Sequence, residues 1–541
     1  MNNRNYNIYF HTHTISGILI CAILYVIFFA GSFSFFKKEI QAWEKDQSYT
    51  HASTLAFDYN TLIDSIDTQY HLHGRDMELY LQANNYQTYV SLTPSQDTVA
   101  NAAGAKPASL TYNFADHRKS TYTESYDLGE FLYRLHFLAQ LNVVPLRVAG
   151  PFGYFLAGLV SFLFLFALIT GLLLHWNKIV SNFYVFRPWS KWKTVWTDVH
   201  TVLGVIGYPY QFIYAVTGIV LIFNTALLLP FSELLYRDNP DQLYDTVYNY
   251  SNEQFAYQDK PLQKPVDLNA VMQKIDDRWP ATRLTNIQIK NYGDSGMHLI
   301  FRGAAHAHTD FAATGKLIYN VAGDSIVYDK PANTDASYID WIRALVYRLH
   351  FGDYGGYPLK IIYFVLGIMG CIIIASGIMI WLVARDKNNV ANHKRKFNFW
   401  AANVFLAVCL TMFPVTALTF IAVKATHLSG QGFLYPLYFY SWLALSVYYI
   451  ARRNIQRTHA ETLLLGSLLG FLVPLANGIF SDNWLWNTWR EGAVDILAVD
   501  LLWITVSAVG LVTFFKMKTR KPKDAVRKNT ATPMERAVTQ G

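Results

Sequence analysis

The chain has little charge. Only 15% of its 541 residues are Asp, Glu, Lys or Arg, while 52% are hydrophobic. A soluble domain carries roughly 25% charged residues, so this composition points to a membrane protein. Cysteine is scarce too: Cys21, Cys371 and Cys409 are the only three, and all lie inside apolar runs. That excludes a disulfide framework and a cysteine-based zinc or iron–sulfur centre. No G-x-G-x-x-G follows a strand, and there is no P-loop. The short loops between apolar runs are also too small for a dinucleotide-binding domain, whose βαβ unit alone needs about 30 residues. No Ser/His/Asp set, HExxH or carboxylate pair stands out, which leaves hydrolysis without support. No basic patch interleaves with aromatics, so the net charge of +7 is not a nucleic-acid footprint. The first apolar run has only Arg4 ahead of it and ends in FFKKEI with no small-residue cleavage site; it reads as a retained span, not a signal peptide.

What the chain has is long apolar runs. A span needs about 20 such residues, and eight segments qualify: 14–36, 152–175, 200–229, 359–384, 400–423, 433–451, 462–480 and 494–515. Basic residues cluster in the loops 176–198 and 385–399, after the sixth run (Arg452, Arg453, Arg457) and in the tail. Together they place those loops and both termini in the cytoplasm. The loop 480–493 is then outward, with Trp484, Trp486 and Trp489 as an interfacial belt. The polar segments 37–148 and 230–357 also face outward. Each reads as a small α+β unit, with helical spacing near 59–66 and 266–279. Strand-like alternation falls near 77–81, 88–92, 285–289, 298–301, 316–319 and 326–328. The remaining divisions are a first span (1–36), spans 2 and 3 with their loop (149–229), span 4 (358–390), a four-span module (391–517) and a polar tail (518–541) expected to be disordered.

The chain repeats itself. His13-Thr14-Ile15-Ser16-Gly17 opens one run and His200-Thr201-Val202-Leu203-Gly204 another. YRLHF occurs at Tyr133–Phe137 and again at Tyr347–Phe351. The run after each copy ends in a hydroxyl–glycine pair, Thr170-Gly171 and Ser376-Gly377. The order recurs after about 190 residues, an internal duplication.

These stretches, with FFAGSFSFFKKEI, TGLLLHWNKIVSNFYVFRP at 170–188, DVHTVLGVIGYP at 198–209 and SGIMIWL, resemble the PepSY-associated transmembrane-helix family. That family comprises iron-regulated inner-membrane proteins, among them bacterial ferric-siderophore reductases. The resemblance covers the first ~390 residues well and the last four spans more loosely. It implies a polytopic α-helical membrane protein of about eight spans, with two small α+β PepSY-like periplasmic domains inserted in a duplicated core. It also implies haem b held by histidines. The chain departs from the family where a histidine often follows the proline of the third span: here the residues are Pro209-Tyr210-Gln211. The number of haems is accordingly one or two.

An ionisable residue within a span is a functional candidate by default, and histidine is the usual axial ligand of b-type haem. His13, His175 and His200 are three candidates at cytoplasmic span ends, competing for two axial positions. A headgroup-bonded interfacial histidine is the bland reading of each. His136 and His350 are the outward pair. A straight helix from His136 to His175 would run about 58 Å against an apolar core of ~30 Å, so Pro145 and Gly150-Pro151 are expected to break it. That leaves His136 on a short amphipathic helix, where a structural histidine is the alternative. Arg134 and Arg348 are candidates for haem propionates, or equally for lipid phosphates. His71/His73 and His306/His308 form HxH pairs, a weak metal signal without a third ligand.

Three functions follow. The first is a transmembrane electron conduit reducing a ferric siderophore or other ferric chelate in the periplasm, with electrons from a quinol or a separate reductase. The second is a siderophore or metal-chelate transporter without redox activity, since repeats and broken spans are common in transporters. The third is a sensor or protease restraint anchored by its spans, for which eight spans are excessive.

Overall fold

The computed structural model describes residues 2–48, 57–81, 87–98, 106–146, 151–235, 253–280, 282–305, 311–332, 336–387 and 389–519. In chain order they form α1 (Asn3–Ser34), α2 (Lys37–Lys45), α3 (Tyr59–Tyr70), β1 (Met77–Leu81), β2 (Gln87–Leu92), β3 (Ala108–Asn113), β4 (Lys119–Ser120), α4 (Leu128–His136), α5 (Phe152–His175), α6 (Ile179–Tyr184) and α7 (Trp192–Leu235). There follow α8 (Leu268–Arg278), β5 (Thr282–Lys290), β6 (His298–Ala305), β7 (Thr314–Asn320), β8 (Ser325–Lys330), α9 (Tyr338–Phe351), α10 (Gly356–Arg385), α11 (Asn392–Leu410), α12 (Met412–Thr426), α13 (Gln431–Arg452), α14 (Ile455–Ser481), α15 (Leu485–Glu491) and α16 (Val494–Thr519). The chain divides into two compact units. One holds residues 1–47, 127–223 and 355–541, the other 48–126 and 224–354. The expected disordered tail lies almost wholly outside the described residues.

The first unit is helical. Seven helical segments among the described residues are long and apolar enough to cross a membrane: Asn3–Ser34, Phe152–Tyr184, Trp192–Asn224, Gly356–Arg385, Asn392–Thr426, Ile455–Ser481 and Val494–Thr519. This is a multi-pass membrane protein. The expected eighth span, 433–451, forms a helix, α13, but is less apolar than the others because it carries five tyrosines and two serines. Several polar groups connect it to the span Asn392–Thr426. Asn403 donates to the Ile450 carbonyl at 3.0 Å, the Trp442 indole to the Val408 carbonyl at 2.7 Å, and Ser446 pairs with Thr411 at 3.0 Å. Tyr438 lies 3.3 Å from Thr416. Residue numbers rise on one helix as they fall on the other, so α13 runs antiparallel along that span.

A break separates the His136 helix from the next span, as expected, but it begins at Phe137 and Leu138, before Pro145. α4 ends at His136, a 3-10 turn covers Ala139–Val143, and α5 starts after Pro151.

The second unit corrects the expectation of two separate α+β domains. Its eight strands make one sheet in the order β4-β3-β2-β1-β5-β6-β7-β8, antiparallel throughout. The join is β1 with β5, where Met77 faces Ile289 and Tyr80 faces Asn286. Each half alone would leave that strand as an open edge with unpaired backbone groups, and pairing removes both edges at once. Helices α3 and α8 cover one face. Tyr59, Leu62, Ile66, Leu268, Val271 and Ile275 pack there against Leu79, Val90, Ile287 and Phe301. β3 and β4 were not legible, since Ala108–Asn113 alternates small and polar residues with only Leu110 and Tyr112 buried.

Candidate functional site

His13 on α1 and His200 on α7 come together, their ring centroids 6.1 Å apart and their planes at 71°. Both rings are held alike. Nδ1 of His13 is 2.9 Å from the Ala167 carbonyl on α5, and Nδ1 of His200 is 2.9 Å from the Ile373 carbonyl on α10. A carbonyl only accepts, so each Nδ1 donates, and each Nε2 keeps a bare lone pair.

The hydroxyl–glycine pairs noted in the sequence are the sockets. Thr170 donates to the same Ala167 carbonyl at 3.1 Å, and Ser376 to the same Ile373 carbonyl at 2.8 Å. Each ring lies flush on the following glycine: a Cβ at Gly171 would be 3.0 Å from His13, and one at Gly377 would be 3.1 Å from His200. One turn beyond each histidine, on the same helix face, stands Gly17 or Gly204. A Cβ on either would meet nothing within 4 Å. Beyond the other side of the pair is a cavity of about 630 Å³ walled by Tyr6, Tyr9, His175, Lys178, Arg187 and Asp198, among others. Asp198 is buried and gripped by Arg187 through Nε at 3.0 Å and Nη2 at 2.8 Å.

His175 therefore borders the site without joining the pair. Asn182 Nδ2 donates to its Nδ1 at 3.2 Å, which puts the ring proton on Nε2, the opposite tautomer to His13 and His200. Of the three inner candidates, the fold pairs two.

His136 closes α4 and reaches α1, where its Nδ1 is 2.8 Å from the Ile27 carbonyl. Arg134 is occupied by Glu130 at 2.6 Å and by the Tyr154 hydroxyl at 3.1 Å. His350 lies on α9 in the other unit, half-buried, with its ring 5.7 Å from Phe351. Arg348 sits over the Phe311 ring at 5.1 Å. His71 and His73 do not share a strand face: His71 has a left-handed backbone at the end of α3, and His73 lies in the following turn near Tyr257. His306 and His308 lie outside the described residues. Among the described residues, no group of three or more His, Cys, Asp or Glu side chains converges as a metal site.

Three further polar groups, His459, Lys424 and Asp500, lie outside the repeated motifs. The His459 ring stacks on Trp196 at 5.9 Å, and its Nε2 has no hydrogen-bond partner among the described residues. Lys424 and Asp500 are fully buried charged residues inside spans. Gln211, in the Pro209-Tyr210-Gln211 stretch noted above, is buried, with its amide nitrogen unpartnered among the described residues.

Among the described residues, seven apolar spans and one antiparallel sheet define a polytopic membrane protein with an α+β unit. Residues 10–384 match the family model described as the PepSY-associated TM region, and the chain belongs to that family. It is also similar to Uncharacterized protein PA4219 of Pseudomonas aeruginosa, at 21% identity over 259 residues, 45% of this chain. The chain spans 63% of that relative's length.

Proposed function

We propose that this protein is a haem-b-containing electron carrier that reduces a ferric chelate, of the ferric-siderophore kind, on the periplasmic side of the bacterial inner membrane during iron uptake. The observation that carries this reading is the His13–His200 pair. Two imidazoles this close would be able to hold one metal ion between them through their Nε2 atoms. The centroids here are 6.1 Å apart. The donor chemistry fits as well: two neutral imidazoles, each oriented through Nδ1 by a second-shell carbonyl, as metal-bound histidines usually are. Gly17 and Gly204 leave the helix faces beside the rings open to a flat ligand. Lys178 on the cavity wall supplies a cation for an acidic edge.

Haem bound there would supply a one-electron carrier inside the lipid. The chain's own part would be to hold both imidazoles in one tautomer through the Ala167 and Ile373 carbonyls. His136, fixed by Ile27, is the ligand proposed for a second haem nearer the outer face. The protein carries no nucleotide-binding motif, so the donor is a membrane quinol or a separate reductase. Reduction of the chelated iron weakens its bonds to hard oxygen donors and releases it. The basic loops place both termini in the cytoplasm once α13 counts as a crossing.

An absorption spectrum of the purified protein, with haem quantified per chain, tests this. A reduced-minus-oxidised b-type difference spectrum is expected; colourless protein after haem-replete expression overturns the reading. A second reading, a chelate transporter without redox activity, draws on the buried Lys424 and Asp500, because charges inside spans commonly mark transport paths. Uptake of labelled chelate into vesicles with no electron donor would favour it.

A further inference from the structure

Helix α2 packs against both α4 and α16. Its Glu39 pairs with Lys360 on α10, and most of its other polar side chains turn toward α4 or toward the last spans. Toward α4, Glu44 accepts from the Leu128 N–H at 2.6 Å, Gln41 donates to Asp127 at 2.9 Å, and Lys45 pairs with Asp127 at 3.1 Å. Asp127 in turn caps α4 by accepting from the Glu130 N–H at 2.8 Å, and Lys37 pairs with Glu130 at 2.5 Å. The first turn of the helix that ends in His136 is thus built on α2. Gly129 permits the approach, since a Cβ there would stand 2.6 Å from the Lys37 carbonyl.

The other side of α2 is fastened to the last spans. The Trp43 indole donates to Asp500 at 2.8 Å, and Asn477 donates to the other Asp500 oxygen at 2.9 Å. Trp43 also packs on Phe420 at 5.3 Å, with the Lys424 ammonium 4.5 Å over its ring. Asp46, just past the end of α2, receives Lys424, Ser481 at 2.8 Å and Asn483 at 2.6 Å. Buried charges break even only when this well partnered, and removing one partner strands the other.

We propose that the C-terminal module acts as the anchor of the His136 helix. Trp43, Asp46, Lys424 and Asp500 are positioning residues that act on His136 through α2. The proposal rests on the functional reading above for His136 being a ligand, but not for the mechanical link itself. It also gives the two buried span charges a role other than transport.

The test is hydrogen exchange of the full-length protein in detergent, as purified and after haem extraction, with a redox titration of the loaded form. Trp43→Phe and Lys424→Met are expected to speed amide exchange in α4 by about tenfold or more, and Lys424→Arg to restore part of the protection, because each loss strands a buried charged hydrogen bond. The α1 peptide containing His13 should not change. In the loaded protein the outer component of the redox titration should shift while the inner one stays. Asp46→Asn, at the surface, is the milder variant should the others fail to reach the membrane. Unchanged α4 exchange in these variants overturns the proposal, as does an equal change in Ser446→Ala, which alters the module away from α2. Altered exchange in a protein that never carries haem keeps the link and removes only the haem reading.

Discussion

The imidazole of His136 lies against Gly31 of α1: a Cβ on that glycine would sit 2.5 Å from Nδ1 and 2.8 Å from Cε1. The same nitrogen is bonded to the Ile27 carbonyl one turn earlier. The ring cannot keep its bond and also make room. Gly31→Ala is expected to push His136 off Ile27 and cost about 1–3 kcal/mol, the usual penalty of overpacking. Denaturant unfolding in detergent and the haem content per chain measure both effects. Unchanged values would mean the ring is free to move.

The inner pair gives a sharper contrast. His13→Ala and His200→Ala are each expected to lose the same share of bound haem, while His175→Ala retains it. Gly17→Leu and Gly204→Leu should also lose it, without touching either ligand, because they fill the open faces beside the rings. Pigment quantified against protein on size exclusion separates these outcomes from misfolding. Full pigment in Gly204→Leu would remove the slot from the account.

In the sheet unit, two asparagines cap each other's helices. Asn60 accepts from the Leu268 N–H and Asn269 from the Tyr59 N–H, both at 2.8 Å. Their amides close the square by donating to Asp267 and Asp58, again at 2.8 Å. Asn60→Ala or Asn269→Ala should cost about 1 kcal/mol each, the typical value of a lost cap. The double variant should depart from additivity, since both belong to one network. Hydrogen exchange in α3 and α8 reads the cycle.

Glu44 sets a pH dependence. Burial, reinforced by the neighbouring Asp127 charge, holds its carboxyl well above the ordinary carboxylate value of 4.5. The folded state therefore favours the protonated form. Its contribution to stability is complete below the ordinary value and is lost as pH rises through the raised one. Wild-type protein should show a falling stability component across that window that is absent in Glu44→Gln. A profile identical in the two would place the proton elsewhere.

The crossing of α13 is tested by labelling. With the native cysteines replaced, Ser429→Cys and Gln456→Cys flank that helix. They should react with an impermeant thiol reagent from opposite faces of oriented vesicles. Labelling from one face would leave seven crossings and put the two termini on opposite sides.

Much of the architecture follows from local pattern. Apolar run length marked the spans, since lipid demands about 20 residues whatever the neighbours. Period-two alternation marked six of the eight strands among the described residues, and the Pro-containing stretch between His136 and His175 marked a break there, although the His136 helix ends before Pro145 and Pro151 instead caps the next helix. The repeated His-Thr-x-x-Gly and hydroxyl–glycine signatures are plain in the one-dimensional string. Their relation is not, because a helical spacing says which face a residue occupies and nothing about which helix meets that face. Packing alone brought the Ala167 carbonyl to His13 and the Ile373 carbonyl to His200. It thereby set the tautomers, chose this pair over His175 and joined two half-sheets at β1 and β5. It also put Asp500 under the Trp43 indole, 457 positions away in the chain.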